Sequence, residues 1–192
     1  MSLVFVNLVK TNQSAFAAKV NAIARELSIE PNWLMAVMYS ESRLNHTAVN
    51  SLSNATGLIQ FMPDTARGLG TSVSALRNMS NIQQLDYVRK YFLPFKGRMH
   101  SVYDVYLITF FPVALGKPDD WVFQTKNLSA STVAKYNPGI AQGKKQITVR
   151  DFKNWFYKNM PENSRDYIFK ASIGIGAIIF TVASIYLISK YK

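Results

Sequence analysis

Apolar residues along most of the chain return every three or four positions, the spacing of one face of an α-helix. Phe16, Val20, Ile23, Ala24 and Leu27 form the first such stripe, which opens after Lys10 with Thr11 or Asn12 as its cap. Ser28-Ile29-Glu30-Pro31 interrupts it, and Pro31 is suited to the first turn of a new helix. That second helix is predicted from Asn32 to about Arg43, with Leu34, Val37 and Met38 near one face and Glu41 in the last turn. Residues 45–57 turn to Asn, Ser, Thr and Ala and read as an extended loop. A short helix starts at Pro63 and stops at Gly68 or Gly70, another covers Ile82 to Phe92, and an aromatic one runs from Ser101 to Phe111, where Pro112 ends it. Lys117 to Asp120 is a turn, Asn127 to Tyr136 a further helix, and Asn137 to Gln146 a loop. Thr148 then caps an amphipathic helix with Val149, Phe152, Trp155 and Phe156 on one side. No stretch sustains the period-two alternation of a half-buried strand, so the predicted fold is mainly α.

A different pattern closes the chain. From Ala171 to Ser189 no residue is charged, and as a helix this run would span roughly 28 Å, close to the hydrocarbon thickness of a bilayer. Arg165 and Lys170 precede it, Lys190 and Lys192 follow, and Tyr186 and Tyr191 stand where interfacial aromatics belong. A buried core helix is the other reading. The length and the basic brackets favour a single C-terminal transmembrane helix, with Ser172 and Gly176 as a small-residue pair through which two such helices could associate. The chain then divides into a domain over 1–165 and a membrane anchor over 166–192, contacting lipid through residues 171–189. Met1 to Val9 is apolar but lacks a preceding basic stretch, so it does not match a cleaved export signal.

Composition narrows the chemistry. There is no cysteine, which excludes disulfides and thiolate nucleophiles or ligands, and two histidines, His46 and His100, cannot build a histidine-rich metal site. No metal and no cofactor is expected. The formal charge of +11 comes from 22 basic and 11 acidic residues. A positive field of this kind attracts any polyanion, including the acidic polymers of bacterial walls. No zinc-finger spacing or long basic run accompanies it, so no specific nucleic-acid partner is expected.

Of the four glutamates, Glu26, Glu30 and Glu162 lie in ordinary polar settings, whereas Glu41 has Met38, Tyr39, Leu58 and Phe61 as neighbours. Apolar surroundings raise a carboxyl pKa, and a carboxylic acid still protonated near neutrality can donate to the leaving oxygen of a glycosidic bond. On these residues alone, Glu41 is either such an acid or a solvated helix end.

The order of residues around it decides between the two. Glu41-Ser42-Arg43-Leu44-Asn45, then Ala48 and Asn50, then Gly57-Leu58-Ile59-Gln60, then Pro63, Thr65, Ala66, Leu69 and Gly70 resembles the soluble lytic transglycosylase family. That family's pattern runs Glu-Ser, Asn, Ala, Gly-Leu-Met-Gln, Pro, Thr-Ala at closely similar spacing, and Ile59 here replaces its methionine. Weaker resemblance covers residues 18 to 155. Asp104-Val105-Tyr106-Leu107, Pro112, Gly116-Lys117-Pro118 and Tyr136-Asn137-Pro138-Gly139 look like a phage-associated branch. In that branch a calcium loop follows, but Ala141, Gln142, Lys144 and Lys145 leave no carboxylate before Asp151, and calcium needs several hard oxygen ligands.

The resemblance implies a lysozyme-like fold and a peptidoglycan lytic transglycosylase that acts on glycan strands. It implies that Glu41 is the catalytic acid and then base, that Ser42 bonds near the carboxylate or a substrate N-acetyl group, and that Gln60 holds the sugar. The Leu58-Ile59 backbone would line the cleft. Tyr136 either matches the family tyrosine that sits beside the glutamate or is an ordinary core residue, since Pro138 replaces the alanine of the family segment. A 1,6-anhydro product is expected over lysozyme-type hydrolysis, which enlists a second carboxylate, because Asp64 is the only acid near the motif and suits the N-terminus of its helix. A muramidase, or a non-catalytic wall-binding membrane protein, is the alternative. The phage-like segments and the anchor without an export signal imply a virion or viral membrane, with the bacterial inner membrane as the other location.

Overall fold

The computed structural model describes residues 3–170. Among them, ten α-helices and short 3-10 turns carry the architecture, and extended residues form only isolated bridges. The helices are α1 (Gln13–Leu27), α2 (Pro31–Ser42), α3 (Pro63–Gly68), α4 (Val73–Asn78), α5 (Asn81–Phe92), α6 (Val102–Phe110), α7 (Ala130–Tyr136), α8 (Pro138–Ala141), α9 (Val149–Asn159) and α10 (Glu162–Phe169). The mainly helical class is as the periodicity predicts.

Helix α2 is the axis of the domain. Every side chain from Asn32 to Met38 is buried, and a helix that is apolar all round belongs in a core rather than on a surface. It packs against α1, α6 and α10. Asn32, polar yet buried, is satisfied at both ends of its amide: Oδ1 accepts from the Val4 N–H at 3.0 Å and Nδ2 donates to the Tyr167 carbonyl at 3.4 Å. The Trp33 indole donates to the Ile168 carbonyl at 3.1 Å. The start of α2 therefore gathers both ends of the described chain, which leaves its other end free to carry chemistry.

The helix boundaries follow local rules. Ser80 with Gln83 and Thr148 with Asp151 form capping boxes at α5 and α9. Asn12 does precede α1, but in a left-handed conformation whose side chain makes no capping bond. Three helices lie where no helix was predicted: α4, α8 within the expected 137–146 loop, and α10. They have six, four and eight residues, too few turns to display a 3.6-residue period. Helix α10 also straddles the expected boundary at 165, because Ile168 is part of the core.

The transmembrane expectation requires correction. Among the described residues no helix is long and apolar enough to cross a membrane; the longest, α1, has 15 residues and a charged face with Lys19, Arg25 and Glu26. The run expected to span, residues 171–189, lies outside the described residues. The structure thus does not support a C-terminal anchor, lipid contact or self-association through it, or the viral or bacterial membrane location drawn from it.

Candidate active site

The last turn of α2 ends abruptly. Arg43 and Leu44 both take left-handed backbone conformations, with φ of 55° and 62°; Leu44 is buried. Such positions are strained for residues other than glycine. They turn the chain away just after Glu41 and Ser42, so that the loop from Asn45 can double back across the helix end.

That loop is pinned by buried amides. Ser42 Oγ lies 2.9 Å from the Leu58 carbonyl and 3.1 Å from the Met38 carbonyl, sharing its proton between loop and helix. Gln84 of α5, fully buried, holds the loop from beneath: Oε1 accepts from the Leu58 N–H at 3.0 Å, while Nε2 donates to the His46 carbonyl at 2.6 Å and the Leu76 carbonyl at 2.8 Å. Gly57 sits at φ 81°, and a Cβ there would lie 2.4 Å from Gln84 Oε1. Only glycine fits both the conformation and the approach.

Helix α6 crosses α2 and brings Tyr106 against the acid. The Tyr106 phenol hydrogen-bonds both the Glu41 carboxylate and Ser40. Desolvation by burial raises the Glu41 pKa to about 7, with the Tyr106 hydrogen bond pulling the other way. Tyr106 itself is pushed well above its ordinary value by burial and by the neighbouring carboxylate. Tyr91 of α5 is pushed to about 12 by burial and by the same negative charge.

Glu41 opens into a groove of about 500 Å³. Ser40 and Glu41 form its floor; Asn50, Ala55, Ile59, Gln60 and Met62 come from the loop; Tyr106, Thr109 and Phe110 from α6; Asn137, Gly139 and Ile140 from the α7–α8 corner; and Trp155 from α9. Glu41 is the one carboxylate among these lining residues. A larger cavity of about 640 Å³ lies elsewhere, between Leu3–Leu8, Tyr39 and α10, and no acid lines it. The chemistry places the candidate site in the smaller groove.

The residues expected at the site divide three ways. Glu41, Ile59 and Gln60 line the groove. Gln60 Nε2 donates to the Gly57 carbonyl at 3.1 Å and the Ala48 carbonyl at 3.4 Å, and its Oε1, which accepts no hydrogen bond among the described residues, is the atom left for a ligand. Ser42 and Leu58 are buried behind it and hold the loop. Tyr136 is 74% exposed and is not among the lining residues, although the adjacent Asn137 is. The tyrosine beside the glutamate is Tyr106, which the helical pattern places in the aromatic core. Trp155, expected on a packing face, also reaches the groove. Asp151, the first acid after the segment where the phage-associated branch carries its calcium loop, caps α9 and pairs with Lys144.

A buried acid raised to near neutrality in an open groove makes Glu41 the candidate acid–base group of this site. Residues 19–86 match the family model of the transglycosylase SLT domain. The match takes in Glu41, Ser42, the Gly57–Gln60 turn and Gln84, and stops before α6. No curated protein and no solved structure matches the chain.

Proposed function

We propose that this protein is a peptidoglycan lytic transglycosylase that cleaves the β-1,4 bond between N-acetylmuramic acid and N-acetylglucosamine and leaves a 1,6-anhydro end. The observation that carries the reading is a single buried carboxyl, Glu41, its pKa raised by burial to about 7, on the floor of a groove with no second carboxylate among its lining residues. Glu41 gives its proton to the glycosidic oxygen as the bond from C1 breaks, and positive charge develops on the sugar ring. The resulting carboxylate faces that charge and accepts the Tyr106 hydrogen bond. It then takes the proton of the C6 hydroxyl, whose oxygen closes on C1, and the enzyme regains its starting protonation. Hydrolysis in the ordinary way uses a second carboxylate to activate water or form a covalent intermediate. Asp64 is poorly suited to that role: it is 88% exposed, pairs with Arg67 and does not line the groove.

Gln60 Oε1 is suited to accept from sugar hydroxyls, Ile59 to form the wall beneath them, and Ser42 and Leu58 to fix the turn that presents both. Tyr136 has no part in this proposal.

Digestion of purified sacculi tests it. The expected products are anhydro-muropeptides, each one water lighter than the hydrolytic product, and Glu41→Gln is expected to lose roughly a hundredfold to ten-thousandfold in rate. Lysis by the Glu41→Gln protein at the wild-type rate would end the mechanism, and reducing-end products would replace it with hydrolysis. Sacculus binding without any lysis would leave a wall-binding protein.

A further inference from the structure

Helix α8 is a single turn that separates two cavities. Gly139 and Ile140 line the groove that holds Glu41, while Pro138 and Ala141 line a second cavity, of about 270 Å³. The walls of the second cavity combine two chemistries. Ala134, Pro138 and Ala141 give it a small-residue apolar lining, and Lys135, Lys144 and Lys145 supply ammonium groups. No carboxylate is among its lining residues. Asp151 pairs with Lys144, whereas the exposed Lys135 and Lys145 form no ion pair among the described residues. Like charges around one cavity repel each other. The occupant that relieves this is an anion, and one with small apolar groups to set against the alanines.

We propose that this lysine-lined cavity receives the stem peptide of the glycan strand seated at Glu41, its free carboxylates pairing with Lys135 and Lys145. The inference rests on the reading of the chain as a peptidoglycan-cleaving enzyme, since that substrate brings an anionic peptide to the groove. The stem hangs from muramic acid, begins with alanine, and continues with a γ-linked glutamate and, in many walls, a diamino acid, each with a free carboxylate. A helix is about 10 Å across, and an extended peptide covers about 3.5 Å per residue. A stem rooted in the groove therefore crosses α8 within its first three residues and delivers its carboxylates level with the lysines. Its alanine methyl suits the apolar walls of Ala134, Pro138 and Ala141. The position beside the groove favours this tethered anion over a separate polymer, because the bound strand holds it there at high effective concentration. Lys135 and Lys145 are thereby specificity-determining residues for peptide-bearing glycan.

The test compares kcat/KM on glycan strands bearing unamidated, diaminopimelate-type stems with that on the same strands after an amidase has removed the stems. Denuded strands keep only the carboxylate of muramic acid itself, and all strands are first freed of phosphate polymers. The full chain is assayed as the wild type, as the double variant Lys135→Gln/Lys145→Gln, and as Lys135→Arg/Lys145→Arg. The wild type is expected to favour peptide-bearing strands by about fivefold, through a lower KM, and salt is expected to close the gap. The glutamine variant should lose most of that preference, through a higher KM on peptide-bearing strands and a smaller change on denuded ones. The arginine variant should keep it. A preference equal in the wild type and the glutamine variant, or an equal fall on both substrates, overturns the inference while leaving the enzyme reading intact. A lysine-dependent gain seen only when phosphate polymers are left on the strands overturns it too, and assigns the cavity to those polymers. Should the wild type cut neither substrate, the enzyme reading itself fails. NMR titration of a free stem tetrapeptide then still reads the cavity: a weaker Kd for the glutamine variant supports it, and equal affinities or no binding overturn it.

Discussion

The burial that makes Glu41 a proton donor also opposes folding at neutral pH. A carboxyl raised from 4.5 to about 7 binds its proton more tightly in the folded state than in the unfolded chain. Stability is therefore undiminished below about pH 4.5 and falls as pH rises toward 7, reaching a deficit of about 3 kcal/mol above it. Glu41→Gln removes the titration, so its Tm should exceed the wild-type value by roughly 6–12 °C at pH 8 and differ little at pH 4. Thermal melts at the two pH values check this, and an equal shift at both would show that the Glu41 pKa is not raised in the folded state. Tyr106 acts in the opposite sense, because its hydrogen bond favours the charged carboxylate. Tyr106→Phe should move the alkaline limb of the kcat/KM profile to higher pH and lower kcat/KM by about tenfold. A shift of that limb toward acid would exclude the assigned hydrogen bond.

At the scale of elements, the site is one helix end and one turn locked together by buried amides. Gly57→Ala places a Cβ against Gln84 Oε1 in a conformation that alanine resists. It should cost about 3 kcal/mol, measured as a lower midpoint of urea unfolding, and should cut activity because Gln60 is carried by the same turn. A variant with wild-type stability would mean that the turn is not held as described. This turn was legible in the sequence through the resemblance that Glu41-Ser42 and Gly57-Leu58-Ile59-Gln60 carry, although the side chains that hold it, Ser42 and Gln84, bond Leu58 from 16 and 26 residues away. The opposite wall was not legible. Tyr106 and Trp155 belong to apolar stripes whose spacing predicts core packing, and only the packing of α6 against α2 and of α9 against α8 brings them to the groove. Nothing local marks Tyr136 as exposed and Tyr106 as the partner of the acid. Gln84 was hidden for the same reason, since a polar residue on a predicted helix face gives no sign that the His46 carbonyl of the loop and the Leu76 carbonyl of α4 converge on it.

Across the whole molecule, the two ends of α2 do different work. Its C-terminal end holds the acid, and its N-terminal end is held by α10 through the Trp33 indole and the Asn32 amide. Ile168 is fully buried, and the Phe169 ring packs against Tyr103, Phe156 and Tyr157. Tyr103 and Phe156 belong to the α6 and α9 segments that also supply Tyr106 and Trp155 to the groove. The last turn of α10 thus braces the helices that build the wall opposite Gln60, and it lies beyond the edge at 165 that charge and hydropathy suggest. Removing a buried isoleucine and a packed phenylalanine together should cost several kcal/mol, given about 2–5 kcal/mol for deleting one large core side chain. A fragment of residues 1–165 should therefore unfold at a clearly lower urea concentration than a fragment of residues 1–170. Its activity on sacculi should fall with temperature well before that of the longer fragment, since the groove loses its far wall as α6 and α9 loosen. Coincident unfolding midpoints for the two fragments would show that α10 does not brace the site.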